Sequence, residues 1–246
     1  MNLLGLVFVL LFAGLMAGFS FLHRKRTMPN LREIPSFSRL RNAIDLAVED
    51  GSRLHLSLGH ADITGAQSAA GLVGLSMLRR ISLVAADSDQ PPVVTAGDGT
   101  LALLAQDTLR NAHITLGSLS DYSNTMGRVA GVTPFSYAAG TISLIRDEGV
   151  SANLLIGSFG HEIALITTAG ERSQVLSLAG TDTLTAQAVA YATAHEQLIG
   201  EELFAGGAYV GAGPMHTASL HAQDVIRWLL ITAILLSALV QLVNSF

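Results

Sequence analysis

Gly, Asp, Ser, His and Glu gather just after short apolar runs in this sequence, where their types and spacing allow polar chemistry. In chain order these corners are Gly59-His60-Ala61-Asp62, Gly97-Asp98-Gly99-Thr100, Thr133-Pro134, Gly157-Ser158-Phe159-Gly160-His161-Glu162, Gly180-Thr181-Asp182 and Gly200-Glu201-Glu202. Small residues at strand ends let a ligand approach backbone N–H groups, and a following helix N-terminus favours an anion. On that account the N–H groups after Gly59, Gly157 and Gly180 hold an anion. Asp62, Asp182 or Glu201 then meets hydroxyls or a metal, and Ser158, Gly160 and Thr181 complete the candidate ligand set. A plainer account gives each Gly to the turn and each Asp, Ser or Thr to capping the next helix. Both accounts fit the residue types.

Two of these corners repeat a phrase. LSLGHADITGAQ (Leu56 to Gln67) and LSLAGTDTLTAQ (Leu176 to Gln187) align without a gap and place Asp62 and Asp182 at the same point. If the two corners face one crevice, the aspartates flank a ligand; if they lie apart, they serve as helix caps.

Familiar catalytic motifs are absent or broken. There is no G-x-x-x-x-G-K-[ST], and the only lysine, Lys25, lies beside an apolar segment, which excludes a Walker-type nucleotidase. No G-x-G-x-x-G follows the first strand. Ser158 is one residue out of register for a nucleophile elbow, so a Ser158–His161 pair lacks its usual support. His161-Glu162 has no second His at the H-E-x-x-H spacing, and His216 and His221 are five apart. A set of His60, Asp62, His161 and Glu162 becomes possible only if the first and fourth strands are neighbours; no metal site and no cofactor is assigned. Glu201 and Glu202 point in different directions from a helix or a strand, so they are not a paired acid and base. The absence of cysteine excludes disulfides and thiolate chemistry.

These corners need elements to position them. LHLSL, VVTA, VAGV, NLLIG, VLSLA and QLIG read as short strands. They alternate with helical stretches at about Gly65 to Ala86, Thr100 to Asn111, Ser136 to Glu148, His161 to Glu171 and Thr183 to His195. Parallel strands need crossover helices, so the pattern predicts an α/β fold: a Rossmann-like, doubly wound, mainly parallel sheet. Phe37, Leu40, Ile44, Ala47 and Val48 recur at helical spacing after Pro35, with Ser36 as the expected cap. Gly117 to Gly131 is the least structured connection, and GGAYVGAGP (Gly206 to Pro214) reads as a turn or a close-packed helix end.

Half of the residues are hydrophobic (50%) and only 13% are charged, more apolar than a typical soluble domain. The excess lies in Leu3 to Leu22 and Trp228 to Phe246, each close to the roughly 20 residues that cross a bilayer core. Basic residues His23-Arg24-Lys25-Arg26 follow the first run instead of preceding it, which predicts an uncleaved anchor. By the positive-inside rule the middle of the chain is cytoplasmic and both termini lie outside. The expected organisation is an anchor with its basic flank at 1–26, a linker and amphipathic helix at 27–51, an α/β domain at 52–214, and a second transmembrane helix at 215–246. Gly14 and Gly18, with Ala13 and Ala17, form small pairs that allow close helix approach. A net charge of −5 without a basic stripe excludes nucleic acid as an expected partner.

The strings HLSLGHADITG, LIGSFGHEIALITTAG, SLAGTD and IGEELFAGGAYVG, together with the two terminal apolar runs, resemble an uncharacterised bacterial family of membrane-anchored α/β proteins, a domain of unknown function. The resemblance implies the same anchored architecture in a bacterial cell membrane and transfers no activity. Two functional expectations follow from the residues. The first is a non-enzymatic subunit or scaffold that associates with copies of itself or with other membrane-complex partners. The second is a sensor or enzyme that binds a small polar or nucleotide-like ligand at the Gly-ended loops.

Overall fold

The computed structural model describes residues 3–23, 31–65, 67–85 and 88–244. They fall into two compact units, one of residues 32–212 and one formed by the two ends of the chain. The basic residues Arg24, Lys25 and Arg26 and the start of the expected linker lie outside the described residues.

The unit at 32–212 is α/β. Its strands are β1 (Arg53–Gly59), β2 (Val93–Ala96), β3 (Gly127–Val129), β4 (Val150–Ser158), β5 (Leu176–Thr181) and β6 (Glu196–Leu198), all parallel in one six-stranded sheet of order β3-β2-β1-β4-β5-β6. The order reverses between β1 and β4. The expected strand VAGV falls two residues late, because β3 begins at Gly127 and ends at Val129, leaving Val132 in the next loop.

Helices cover both faces because both faces are apolar. Side chains alternate along each strand, so Leu54, Leu56 and Leu58 of β1 enter one core with Leu154 and Ile156 of β4. That core is closed by α2 (Pro35–Glu49), α3 (Ser68–Ala85), α4 (Gly99–Leu116) and α8 (Glu201–Tyr209). The other face takes Val93, Leu155 and Ala179 beneath α5 (Pro134–Asp147), α6 (Ile163–Arg172) and α7 (Leu184–Thr193).

Helix α2 belongs to this unit and packs Phe37, Leu40, Ile44 and Ala47 into its core. Ser36 does not cap it. Its hydroxyl donates to the buried Glu196 carboxylate (3.1 Å) and to the Gln197 carbonyl (3.0 Å), while Arg39 pairs with the same carboxylate, so α2 is held to the edge strand β6. At GGAYVGAGP the helix-end reading holds for the first glycines. A Cβ on Gly206 would lie 2.6 Å from Met77 Sδ, so its absence lets α8 sit close on α3.

The terminal unit consists of α1 (Leu3–His23) and α9 (Pro214–Asn244), which pack on each other. Their 21 and 31 residues correspond to about 32 and about 46 Å at 1.5 Å per residue, and both are long and apolar enough to cross a bilayer. A Cβ added at Gly14 or Gly18 would meet nothing within 4 Å, so those small residues do not form the α1–α9 contact. Helix α3 is also long and apolar enough to span, but its 18-residue window is 44% buried, against none for the terminal helices. Its Met77, Leu78 and Ile81 face the sheet core, which accounts for its hydropathy.

Candidate functional site

The carboxyl ends of β1 and β4 meet where the strand order reverses, the usual ligand crevice of an open α/β sheet. Here the two strands close tightly on each other. Ser57 pairs with Leu155 but Gly59 pairs with Ser158, so β4 carries one extra residue, a β-bulge. A Cβ on Gly157 would lie 2.0 Å from the Leu58 carbonyl oxygen, and one on Gly59 would lie 2.1 Å from that of Ser158. Gly59 also has φ +63°, which favours glycine. Both glycines are spent on strand approach.

Three backbone donors at these corners are engaged as well. The Gly59 N–H donates to the Tyr137 hydroxyl (3.1 Å), the Gly160 N–H to Glu162 Oε1 (2.8 Å), and the His60 N–H to the Ser158 carbonyl (2.8 Å). Gly180 packs against Leu198, Leu203 and Ile156. The Thr181 hydroxyl accepts the Phe159 N–H (3.2 Å).

Beneath the crevice, on the α5–α7 side, lies a sealed polar chain. His55, Ser57, Thr95, Asn153 and Tyr137 are all fully buried. Burial, opposed by the bond to Asn153 and more weakly by Glu148, pushes the His55 imidazole down to about 4, so it is neutral. One proton assignment satisfies the hydroxyls and ring nitrogens. His55 Nδ1–H donates to Asn153 Oδ1 (2.7 Å), and Nε2 accepts from the Thr95 hydroxyl (2.9 Å). The Tyr137 hydroxyl then donates to Thr95 Oγ1 (3.0 Å) and accepts from Ser57 Oγ (2.5 Å) and the Gly59 N–H. Burial raises the Tyr137 pKa despite these bonds, so the phenol stays protonated. With no member open to solvent, the chain ties β1, β2, β4 and α5 together and presents no nucleophile. Its signal in the sequence was polar residues at one parity of otherwise apolar strands: His55 and Ser57, Thr95, Asn153.

The two aspartates of the repeated phrase stand on either side of the β4 loop, because β1 and β5 both pair with β4. Neither caps a helix. Asp62 Oδ1 accepts from the Thr64 N–H (3.0 Å) and hydroxyl (3.1 Å) within its own loop, and α7 takes Thr183 as its N-cap residue without a side-chain bond. Capping falls instead to Asp98, which accepts the Leu101 N–H (3.0 Å), and to Thr133, which forms a capping box with Ser136. Among the described residues, three buried polar atoms at these corners have no hydrogen-bond partner: both ring nitrogens of His60 and Asp182 Oδ1. His60 lies edge-on to Tyr137 (4.9 Å between ring centres), with Nδ1 3.8 Å from Glu162 Oε1. Ser158 is buried while His161 is exposed. Glu201 opens α8 beside Glu202, which pairs with Arg32 (2.8 Å). Among the described residues no three His, Asp or Glu side chains group to hold a metal, so His60, Asp62, His161 and Glu162 do not assemble as one site.

The rim of this edge is apolar where it should be polar. Val132, Phe135 and Leu184 are 80, 73 and 81% exposed, and Leu165 is 46% exposed. Phe135, Leu165 and Leu184 lie in the first turns of α5, α6 and α7, which are adjacent in that order.

A family model described as "Domain of unknown function (DUF6754)" matches residues 1–246. No curated protein and no solved structure matches the chain.

Proposed function

We propose, for a chain that belongs to the DUF6754 family, a non-enzymatic role as a membrane-anchored subunit whose Rossmann-like, doubly wound domain docks on a protein partner. The carrying observation is the exposed apolar band of Val132, Phe135, Leu165 and Leu184. Exposed apolar side chains grouped along one edge are the usual mark of a contact surface. The engaged N–H groups of Gly59, His60 and Gly160 and the sealed hydrogen-bonded chain favour this reading over catalysis. The partner is a second copy or another protein of the same membrane assembly. Helices α1 and α9 serve as two membrane spans, and the basic residues after α1 favour a cytoplasmic domain with both termini outside. Purification of tagged wild type and of a Phe135→Asp/Leu184→Asp variant from native membranes tests the reading. A protein that accompanies only the wild type, or a wild-type mass above the monomer that the variant loses, is expected. Identical monomeric behaviour of both would refute it.

A second reading has its own support in the His60 nitrogens and Asp182 Oδ1, which lack hydrogen-bond partners among the described residues and lie on either side of the β4 loop. A small polar ligand with both donors and acceptors would satisfy them. A thermal-shift screen with nucleotides, sugar phosphates and divalent ions tests this. Stabilisation that disappears in both His60→Phe and Asp182→Ala supports it, and no stabilisation of wild type by any of them sinks it.

A further inference from the structure

Where α2, α3 and α8 converge, the domain holds a cavity of about 260 Å³, and we infer that it binds a monoanionic amphiphile: a single carboxylate or phosphodiester head on a short apolar chain. Its walls are apolar, with Ile44 of α2, Ile81 of α3, and Phe37 stacked on Tyr209 at 4.5 Å and 8°. The cavity opens next to a tight contact. Gly206 lets Met77 approach α8, and one turn further along α3 the side chains of Arg80 and Ile81 border open space.

Two guanidinium groups line this space, Arg41 from α2 and Arg80 from α3. Each contacts one carbonyl at the end of α8: Arg41 reaches Tyr209 O at 3.5 Å and Arg80 Nε reaches Val210 O at 3.2 Å. Those contacts satisfy helix-end carbonyls but leave most of each five-donor fork unused. Neither arginine forms an ion pair among the described residues. An anionic head bridging the two forks gains charge-assisted hydrogen bonds while its chain covers the apolar walls. Asp45, also in the lining, sits one turn beyond Arg41 and disfavours a second negative charge. At the roughly 30 Å³ that water occupies per heavy atom in the liquid, the space takes about nine heavy atoms, the size of a medium-chain acid.

The test is calorimetric titration of the full chain in zwitterionic lipid nanodiscs, with empty nanodiscs as the blank, using octanoate, methyl octyl phosphate, octanol and suberate. Saturable binding of octanoate or methyl octyl phosphate, with octanol and suberate at least about tenfold weaker, is expected. Arg41→Gln/Arg80→Gln, both at exposed side chains, should weaken the anion about tenfold or more while far-ultraviolet circular dichroism stays unchanged. Ile44→Trp should block binding by filling the space. Repeating the titration in phosphatidylglycerol nanodiscs separates the sources: competition identifies a lipid head as the occupant, and undiminished binding identifies a soluble acid. No saturable heat from either anion, octanol binding as tightly as octanoate, or a folded double variant with wild-type affinity would overturn the inference.

Discussion

His55 Nδ1 and Asn153 Oδ1 lie 2.7 Å apart across β1 and β4, at positions paired in register, and both residues are fully buried. A one-residue slip of either strand would turn one of them toward the opposite, apolar core. The pair therefore fixes the register of β1 on β4 as far as Ser57 and Leu155, and the bulge beyond them brings Gly59 opposite Ser158 and closes the crevice.

That burial makes stability depend on pH in one direction. The folded-state pKa of His55 is about 4, below the ordinary 6.5, so the unfolded chain binds the extra proton between those values. The contribution is complete above pH 6.5, declines as the pH falls, and is gone below about 4. A shift of this size corresponds to about 3 kcal/mol. Urea midpoints read by pulse proteolysis should fall between pH 7 and 4.5 in the wild type. His55→Gln should flatten that decline.

Tyr137 is the hub of the same chain. Tyr137→Phe removes the acceptor of the Gly59 N–H and the partner of the Ser57 and Thr95 hydroxyls, leaving buried groups unsatisfied. The expected cost is about 3 kcal/mol, visible as a lower urea midpoint with unchanged circular dichroism. A loss below about 0.5 kcal/mol would mean that water or side-chain rearrangement replaces the hydroxyl.

Glycines with the same appearance in the sequence should behave oppositely. Gly157→Ala places a methyl 2.0 Å from a backbone oxygen and should cost more than about 3 kcal/mol or prevent accumulation of the folded protein. Gly99→Ala, in the first turn of α4 with nothing within 4 Å, should change stability by less than about 1 kcal/mol. Expression and urea midpoints of the two variants settle the contrast.

The alternation of short apolar runs with Ala-rich helical stretches was legible because both periods are local: VVTA is a strand as read, and Phe37, Leu40, Ile44 and Ala47 line one helix as read, although it begins at Pro35 and not after a Ser36 cap. The strand order was not legible, since it depends on which crossover packs where. The use made of Gly59, Gly157 and Gly160 was hidden for the same reason. A glycine that frees an N–H for a ligand and one that lets two strands touch are the same letter, and only the bulge at Ser158 tells them apart. Tyr137 carried no signal in FSYAAG, because its partners are 42 to 80 residues away. The repeated phrase proved to mark two corners beside one strand, although neither aspartate is the helix cap its position suggested.

The docking band is tested most directly by site-specific photo-crosslinking in native membranes, with the reactive group placed at Leu184 or, as a control, at Leu103. Both positions are well exposed, 81 and 66%, but Leu103 belongs to α4, which packs on the opposite face of the sheet. A discrete protein adduct from Leu184 that Phe135→Asp removes, and none from Leu103, is the expected result. Only monomer from Leu184, or the same adducts from both positions, would contradict it.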